Sequence, residues 1–544
     1  MLGMMMDAPL LVSSILRHAA FYHGDTEVVS KTIEGTIHRY TYADLLKRSQ
    51  KLANALRKLG LQHGERVGTL AWNGYRHLEL YYGVSGSGFV CHTINPRLFR
   101  EQIGYIIEHA GDSVLFSDLT FLPILEAVAD RLTRLKAIII MTDEAHMPKS
   151  ELLPDLVCYE SLIVDEPDEF DWPVFDENTA SGLCYTSGTT GDPKGVLYSH
   201  RSTVLHAMAI SFPDVLNLSA TDSVVPVVPM FHVNAWGLPF AAPMVGAKLV
   251  LPGPNLEAHS LHTLFEDEGV TFTAGVPTVW LSLLDWMETH GQKFSTLKRI
   301  AIGGSAAPEI MISRFHNMGI MVRHLWGMTE TSPIGLTATL LSKHQSLPAE
   351  QKLILEAKQG RPVFGVEFRV DGSDGKPVAR DGKAFGTMLV RGPWIASGYY
   401  NTLESPAHAV EGWFDTGDIV TMDEDGFVQI VDRTKDVVKS GGEWISSIEL
   451  ENIAQAHPAI KEAAVVAAPD AHWGERPILV VVLKSGHTFT HQNLLDVYAG
   501  KISKWSIPDD VIVVDELPHT ATGKLLKTAI RQVVLEKRLG EGLA

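Results

Sequence analysis

The chain has 544 residues, 45% of them hydrophobic and 20% charged, which is too long for one ordinary hydrophobic core and close to the average composition of globular proteins. That composition argues against disorder, collagen-like repeats and coiled coils. A net charge of −18 argues against sequence-independent nucleic-acid binding, which needs a cationic face, so a polyanionic ligand must be met by local groups.

Leu10 to Ile15 is interrupted by Ser13 and Ser14 and followed by Arg17, so it reads as the start of an amphipathic helix and not as a signal peptide. Between Tyr42 and Met141 the pattern predicts helices over 45–59, 75–85 and 101–109, alternating with strands over 66–72, 89–94 and 113–116. The alternation resumes after Ser181, with strands over 247–251, 271–274, 299–302 and 321–325 and a helix over 277–286. This predicts an α/β protein with two related sheets, largely parallel and covered by helices. From Phe364 to Ile430 short β runs are broken by Asp-Gly and Arg-Gly pairs such as Asp371-Gly372 and Asp425-Gly426, the chemistry of turns in a small β subdomain.

A boundary is expected at Asp432: residues 1–431 form the large N-terminal domain, including the β subdomain over about 364–430, and residues 432–544 form a small, mobile α+β C-terminal lid. The lid contains a helix over 447–455 and strands over 464–467 and 478–483, and carries a net charge of −2 within the chain's −18. No apolar run approaches the 18 or more residues of a membrane span, and Cys91, Cys158 and Cys184 form neither a disulfide framework nor a zinc pattern. A reducing cytoplasm is the expected location.

The sharpest local signal is Tyr185-Thr-Ser-Gly-Thr-Thr-Gly-Asp-Pro-Lys-Gly195, which puts four Ser or Thr hydroxyls, three glycines and a lysine into eleven positions. Small donors on a backbone that can approach an anion closely describe a phosphate loop. Pro193 stands where the Walker pattern requires glycine, so a conventional phosphate-loop kinase or GTPase is disfavoured.

This run resembles the signature of the acyl-adenylate-forming superfamily, which includes acyl-CoA synthetases, amino-acid adenylation domains and beetle luciferases. Four further runs follow in that family's order. His324-Leu-Trp-Gly-Met-Thr-Glu-Thr331 is similar to the adenine and magnesium motif, and Trp413-Phe-Asp-Thr-Gly-Asp418 to the ribose motif. Asp432-Arg-Thr-Lys-Asp436 is similar to the hinge, and Pro518-His-Thr-Ala-Thr-Gly-Lys524 to the C-terminal catalytic loop. Val228-Pro-Met-Phe-His-Val-Asn-Ala-Trp236 and Lys439-Ser-Gly-Gly-Glu-Trp-Ile-Ser446 look most like bacterial fatty acyl-CoA synthetases of the medium-chain and 3-methylmercaptopropionate-CoA ligase branch.

The resemblance implies ATP and Mg²⁺ as cofactors and CoA as co-substrate. ATP would be held by Thr186, Ser187, Gly188, Thr189, Thr190, Gly191 and Lys194, by Gly304, Ser305 and Ala306, by Trp326, Gly327, Met328 and Thr329, and by Asp418 and Arg433. Within that set Trp326 would lie against adenine and Asp418 would accept from the ribose hydroxyls, whereas Asp415 reads as a turn residue. Mg²⁺ would sit on Glu330 with the Thr186 hydroxyl, a hard-oxygen arrangement suited to bridging phosphates. His232, Trp236 and Gly303 would meet the acyl substrate, and Lys439, Gly441, Gly442 and Trp444 would meet CoA. Lys435 would be the hinge, with Lys524 catalytic in adenylation and Lys439 in thioester formation.

Gly303-Gly-Ser305-Ala-Ala307 imitates a hydrolase nucleophile elbow, but no His-Asp pair is identifiable as partner to Ser305. Amino-acid adenylation domains generally place an aspartate after the first aromatic residue to bind the substrate ammonium. Here His232 follows Phe231, so an apolar acid is expected, with Trp236 as its gate.

The expected function is an AMP-forming acid-thiol ligase of lipid metabolism that activates a short- or medium-chain fatty, or 3-methylmercaptopropionic-type, carboxylate and transfers the acyl group to CoA. The alternatives are an adenylating enzyme for an aryl or amino acid, a luciferase-like oxygenase, a phosphotransferase and a non-catalytic nucleotide sensor. The partners expected are small molecules, and a homodimer is left open.

Overall fold

The computed structural model describes residues 1, 3–186, 192–372, 374–402, 404–441, 443–519 and 525–540. The chain divides into two compact units. Among the described residues the first comprises those within 1–186, 192–367 and 391–414, and the second those within 368–390 and 415–540.

Among the described residues the first unit holds two large sheets. One runs in the order Leu156–Cys158, Ala137–Ile140, Asp112–Ser117, Arg66–Leu70, Val90–Thr93, Ala180–Tyr185, Gly195–Ser199. Its strands are parallel except for the last pair, an antiparallel hairpin whose connection is the glycine-rich loop. The other runs Arg361–Pro362, Ile334–Thr337, Met321–Gly327, Arg299–Ile302, Phe272–Gly275, Ser223–Pro226, Lys248–Leu251, Glu27–Lys31, Ile37–Thr41. It is parallel in the middle and antiparallel at both edges. The two expected parallel-type sheets are therefore present.

The helix Tyr75–Gly86 is buried at every position because it packs against strands of both sheets. Its sequence shows little amphipathic contrast for the same reason. The helix Pro277–His290 opens with proline at its first turn and ends at Gly291 in the left-handed region. Its Trp280, Leu283, Leu284 and Met287 fill the core beneath the larger sheet.

In the parallel part of this sheet Pro226 pairs with Ala274, Gly275 with Ile302, and Ile302 with His324. The connections after Pro226, Gly275, Ile302 and Gly327 therefore leave neighbouring strands at their carboxyl ends, the edge where open α/β sheets bind ligands.

The second unit contains a four-stranded sheet in the order Glu367–Asp371, Phe385–Arg391, Phe414–Met422, Val428–Arg433. Its other sheet is built on Gly474–Leu483, which pairs with Ile460–Asp470, Val438–Ser440 and Asp510–Val514. Helices Ser447–Gln455, His491–Tyr498 and Lys527–Gly540 accompany it, and apolar clusters form on both its faces. Among the described residues no helix is long and apolar enough to cross a membrane.

Candidate active site

Three of the four connections at the carboxyl edge of the larger sheet carry residues singled out from the sequence. The one after Pro226 contains His232 and Trp236, the one after Ile302 contains Gly303 to Ala306, and the one after Gly327 contains Met328 to Glu330. Trp326 lies on the strand that feeds the last of these and is 6% exposed. A Cβ on Gly335 would stand 2.6 Å from its ring, so the indole packs directly against backbone.

The Pro226 connection turns in a left-handed sense. Val233, Asn234, Ala235 and Trp236 have φ of 47°, 53°, 47° and 56°, a conformation costing about 1–2 kcal/mol per residue in L-amino acids. Neighbouring groups hold it: the Tyr81 hydroxyl donates to the Met230 carbonyl at 2.6 Å and to Asn234 Oδ1 at 3.0 Å. Asn73 donates to the carbonyls of Pro226 and Val228 and accepts from the Met230 N–H at 2.7 Å. The turn brings the Trp236 ring to Gly303, where a Cβ would stand 3.0 Å from ring atom Cη2. Two of the three residues expected at the acyl substrate thus touch, and His232 is half-buried at the start of the turn.

Glu330 is buried on the short turn Thr329–Thr331. Its Oε1 accepts from the Tyr399 hydroxyl at 2.7 Å, and its carbonyl accepts from the Ala396 N–H at 2.8 Å. Burial, with the Glu330 carboxylate adding to it, pushes the Tyr399 phenol up, so it stays protonated at neutral pH. The Lys194 ammonium lies 5.0 Å from the centre of the Tyr399 ring.

Lys194 belongs to the far end of the glycine-rich loop, and its N–H donates to Thr186 Oγ1 at 3.2 Å while the Thr186 N–H donates to the Lys194 carbonyl at 2.9 Å. Thr186, Lys194 and Glu330 are thereby linked through Tyr399. Ser187, Gly188, Thr189, Thr190 and Gly191, like Gly442 and Lys524, lie outside the described residues.

Ser305 is exposed, together with Gly304 and Ala306. The nearby His324 spends both ring nitrogens on backbone: Nε2 accepts from the Ala307 N–H at 3.3 Å and Nδ1 donates to the Ala357 carbonyl at 3.0 Å. Burial pulls its pKa down to about 4, so the imidazole is neutral and already bonded, unlike a hydrolase base.

In the second unit Asp418 is 1% exposed and pairs with Arg433, whose Nη1 also donates to the Thr416 carbonyl. Asp415 accepts from the Gly417 N–H at 2.8 Å, a turn contact. Lys439 is exposed on Val438–Ser440, and its N–H donates to Glu475 Oε2 at 2.7 Å. Gly441 has φ of 58° beside Trp473 and Trp505, and Trp444 stacks on Phe385 with ring centres 5.4 Å apart. The Lys435 carbonyl accepts from Arg531, which also pairs with Asp436 at 2.7 Å.

Among the described residues no group of three or more His, Cys, Asp or Glu side chains could hold a metal ion. Glu330 is a buried carboxylate, a donor of the kind that fits Mg²⁺, a cation that commonly takes one or two carboxylates and fills its other positions with water and substrate phosphates. Tyr399, Tyr81 and Asn73 were not identified from sequence. Their partners lie tens to more than a hundred residues away, and no local spacing announces such contacts.

Three connections that carry adenylate-type motif residues thus stand together at the carboxyl edge of the larger sheet, the edge where open α/β sheets bind ligands. The chain belongs to the AMP-binding enzyme family, whose profile it matches over residues 16–400, with the AMP-binding enzyme C-terminal domain over residues 449–524. It is 51% identical to a 3-methylmercaptopropionyl-CoA ligase of Ruegeria lacuscaerulensis, over 98% of each chain. It is 50% identical to a medium-chain-fatty-acid–CoA ligase of Ectopseudomonas oleovorans, over 98% of this chain and 97% of that protein. The crystal structure of an anthranilate CoA ligase with anthranoyl-AMP shares the fold, with a TM-score of 0.84 at 24% identity over 98% of this chain and 99% of that one.

Proposed function

We propose that this chain is an ATP- and Mg²⁺-dependent acyl-CoA ligase acting on short- or medium-chain fatty, or 3-methylmercaptopropionic-type, carboxylates. The observation that carries the reading is the shared edge: the Trp236 indole, a close backbone approach at Gly303, the buried Trp326 and the buried Glu330 all stand at the carboxyl ends of neighbouring strands. The relatives at about half identity are named as ligases for these two acid classes, which supports the choice of substrate.

In the first half-reaction a substrate carboxylate oxygen attacks the α-phosphorus of ATP and pyrophosphate leaves. In the second the CoA thiol attacks the acyl carbon and AMP leaves. Both nucleophiles come from substrates, so the chain's task is to position them and to neutralise charge. Trp326 stacks on adenine, and Gly304, Ser305 and Ala306 pass it along backbone. Asp418, oriented by Arg433, accepts from the ribose hydroxyls. Residues 186–191 and Lys194 cradle the phosphates.

Glu330 and the Thr186 hydroxyl would hold Mg²⁺, whose contribution when bound is neutralisation of phosphate charge. Trp236, Gly303 and His232 enclose an apolar tail, and His232 supplies no carboxylate for a substrate ammonium. Lys524 serves adenylation, whereas Lys439 with Gly441, Gly442 and Trp444 serves thioester formation, the two alternating about Lys435 at the boundary near residue 432.

The three cysteines are buried free thiols, which supports a cytoplasmic setting.

The test is pyrophosphate release over a panel of straight-chain, thioether, aryl and amino acids, with and without CoA. The reading expects the highest kcat/KM among butyrate, octanoate and methylmercaptopropionate, with acyl-CoA formed. Preference for an aryl or amino acid, or oxygen consumption in place of thioester formation, would replace it with one of the alternatives.

A further inference from the structure

Glu330 is a buried carboxylate, and among the described residues Tyr399 is the side chain that donates to it. The terminal torsion of a glutamate is broad, so a carboxylate with no donor is free to rotate. Here one oxygen is committed to a phenol, and Oε2 is left as the oxygen to offer a cation.

The phenol is itself fixed by its neighbours in sequence. The Ala396 N–H donates to the Glu330 carbonyl at 2.8 Å, and the Tyr400 N–H donates to the Gly195 carbonyl at 2.8 Å, next to Lys194. Asn401, in the left-handed region with φ of 54°, donates to the His109 carbonyl at 3.4 Å. The face of the Tyr399 ring meanwhile carries the Lys194 ammonium at 5.0 Å. One short segment thus grips the acidic turn and the end of the glycine-rich loop together.

We propose that Tyr399 is a positioning residue for the divalent-cation site: its hydroxyl sets the plane of the Glu330 carboxylate, and its ring holds Lys194 beside it. This rests on the reading of Glu330 as the Mg²⁺ ligand. Phenylalanine at 399 keeps the ring and removes only the donor, so Tyr399→Phe isolates the hydroxyl.

The experiment measures Mn²⁺ affinity of the full-length enzyme with ATP by electron paramagnetic resonance, alongside the Mg²⁺ dependence of pyrophosphate release. Tyr399→Phe is expected to weaken Mn²⁺ binding by about tenfold, the usual scale for losing a partner that orients a metal ligand. The Mg²⁺ concentration at half-maximal rate should rise in the same proportion, with KM for the carboxylic acid within about twofold of wild type. In a Glu330→Gln background the same substitution should add nothing, because the two residues act as one unit.

Wild-type cation affinity in Tyr399→Phe overturns the proposal, as does an equal loss with and without Glu330, which would place the effect in general packing. A wild-type enzyme that releases pyrophosphate without needing a divalent cation overturns the reading of Glu330 itself, and this assignment with it.

Discussion

The Nε of Arg433 lies 2.9 Å from a carboxylate oxygen of Asp418, the two residues facing each other across the antiparallel strands Phe414–Met422 and Val428–Arg433. Asp418 is buried while the Arg433 side chain is 39% exposed, so the arginine fixes the orientation of the carboxylate. With that acceptor taking the ribose hydroxyls, Asp418→Ala removes charge-assisted bonding of about 1.5–3 kcal/mol. ATP affinity should fall by about tenfold or more, read as KM for ATP and as AMP binding by calorimetry. Wild-type values in both measurements would remove Asp418 from the nucleotide site.

Trp236 fills space against Gly303 on a turn whose backbone the surrounding hydrogen bonds enforce. Trp236→Ala should leave that turn in place and open the apolar enclosure. The ratio of kcat/KM for dodecanoate over butyrate is expected to rise by about tenfold or more, since each methylene gaining contact contributes about 1 kcal/mol. An unchanged ratio across the acid series would show that the indole is core packing and no gate.

His206 is buried, and its Nε2 accepts from the Ile334 N–H at 3.2 Å. Desolvation pulls its pKa from 6.5 down to about 3. The unfolded histidine takes up a proton below about 6.5 and the folded one does not, so this group withdraws stability as pH falls from 6.5 towards 3, by about 1.4 kcal/mol per unit. His206→Asn keeps an acceptor that does not titrate. The stability lost between pH 7 and pH 5 should therefore shrink by about 2 kcal/mol in urea denaturation. Parallel pH curves for the two proteins would contradict a neutral buried imidazole.

Lys439 is exposed, and its backbone N–H is tied to Glu475. Lys439→Ala should spare acid-dependent pyrophosphate release while slowing thioester formation from supplied acyl-adenylate by about a hundredfold, and Lys524→Ala should do the reverse. Equal losses in both half-reactions for both variants would refute division of labour between the two lysines.

The elements legible in the sequence are those whose signal is local. The helix Pro277–His290 was read over 277–286, so its start and apolar face were legible and its last turn before Gly291 was not. The strands Arg299–Ile302 and Met321–Gly327 were readable as short apolar runs between helices. Glu330 and Trp326 were singled out because their motif is contiguous.

The left-handed turn from Val233 was not, since none of Val233, Asn234, Ala235 or Trp236 is a glycine and its stability comes from Asn73 and Tyr81. Tyr399 was missed for a similar reason. Its bond to Glu330 spans 69 residues, and the segment 391–414, read from turn chemistry as part of the β subdomain, clusters with the first unit. Fold topology, and not residue spacing, makes those contacts.

The central claim is that this chain cleaves ATP between its α- and β-phosphates to join a carboxylate to CoA. Its most direct test is to incubate the purified enzyme with ATP, Mg²⁺, octanoate and CoA and to resolve the nucleotides and thioesters by chromatography. The account predicts AMP, pyrophosphate and octanoyl-CoA in equal amounts, whereas ADP with inorganic phosphate would contradict it.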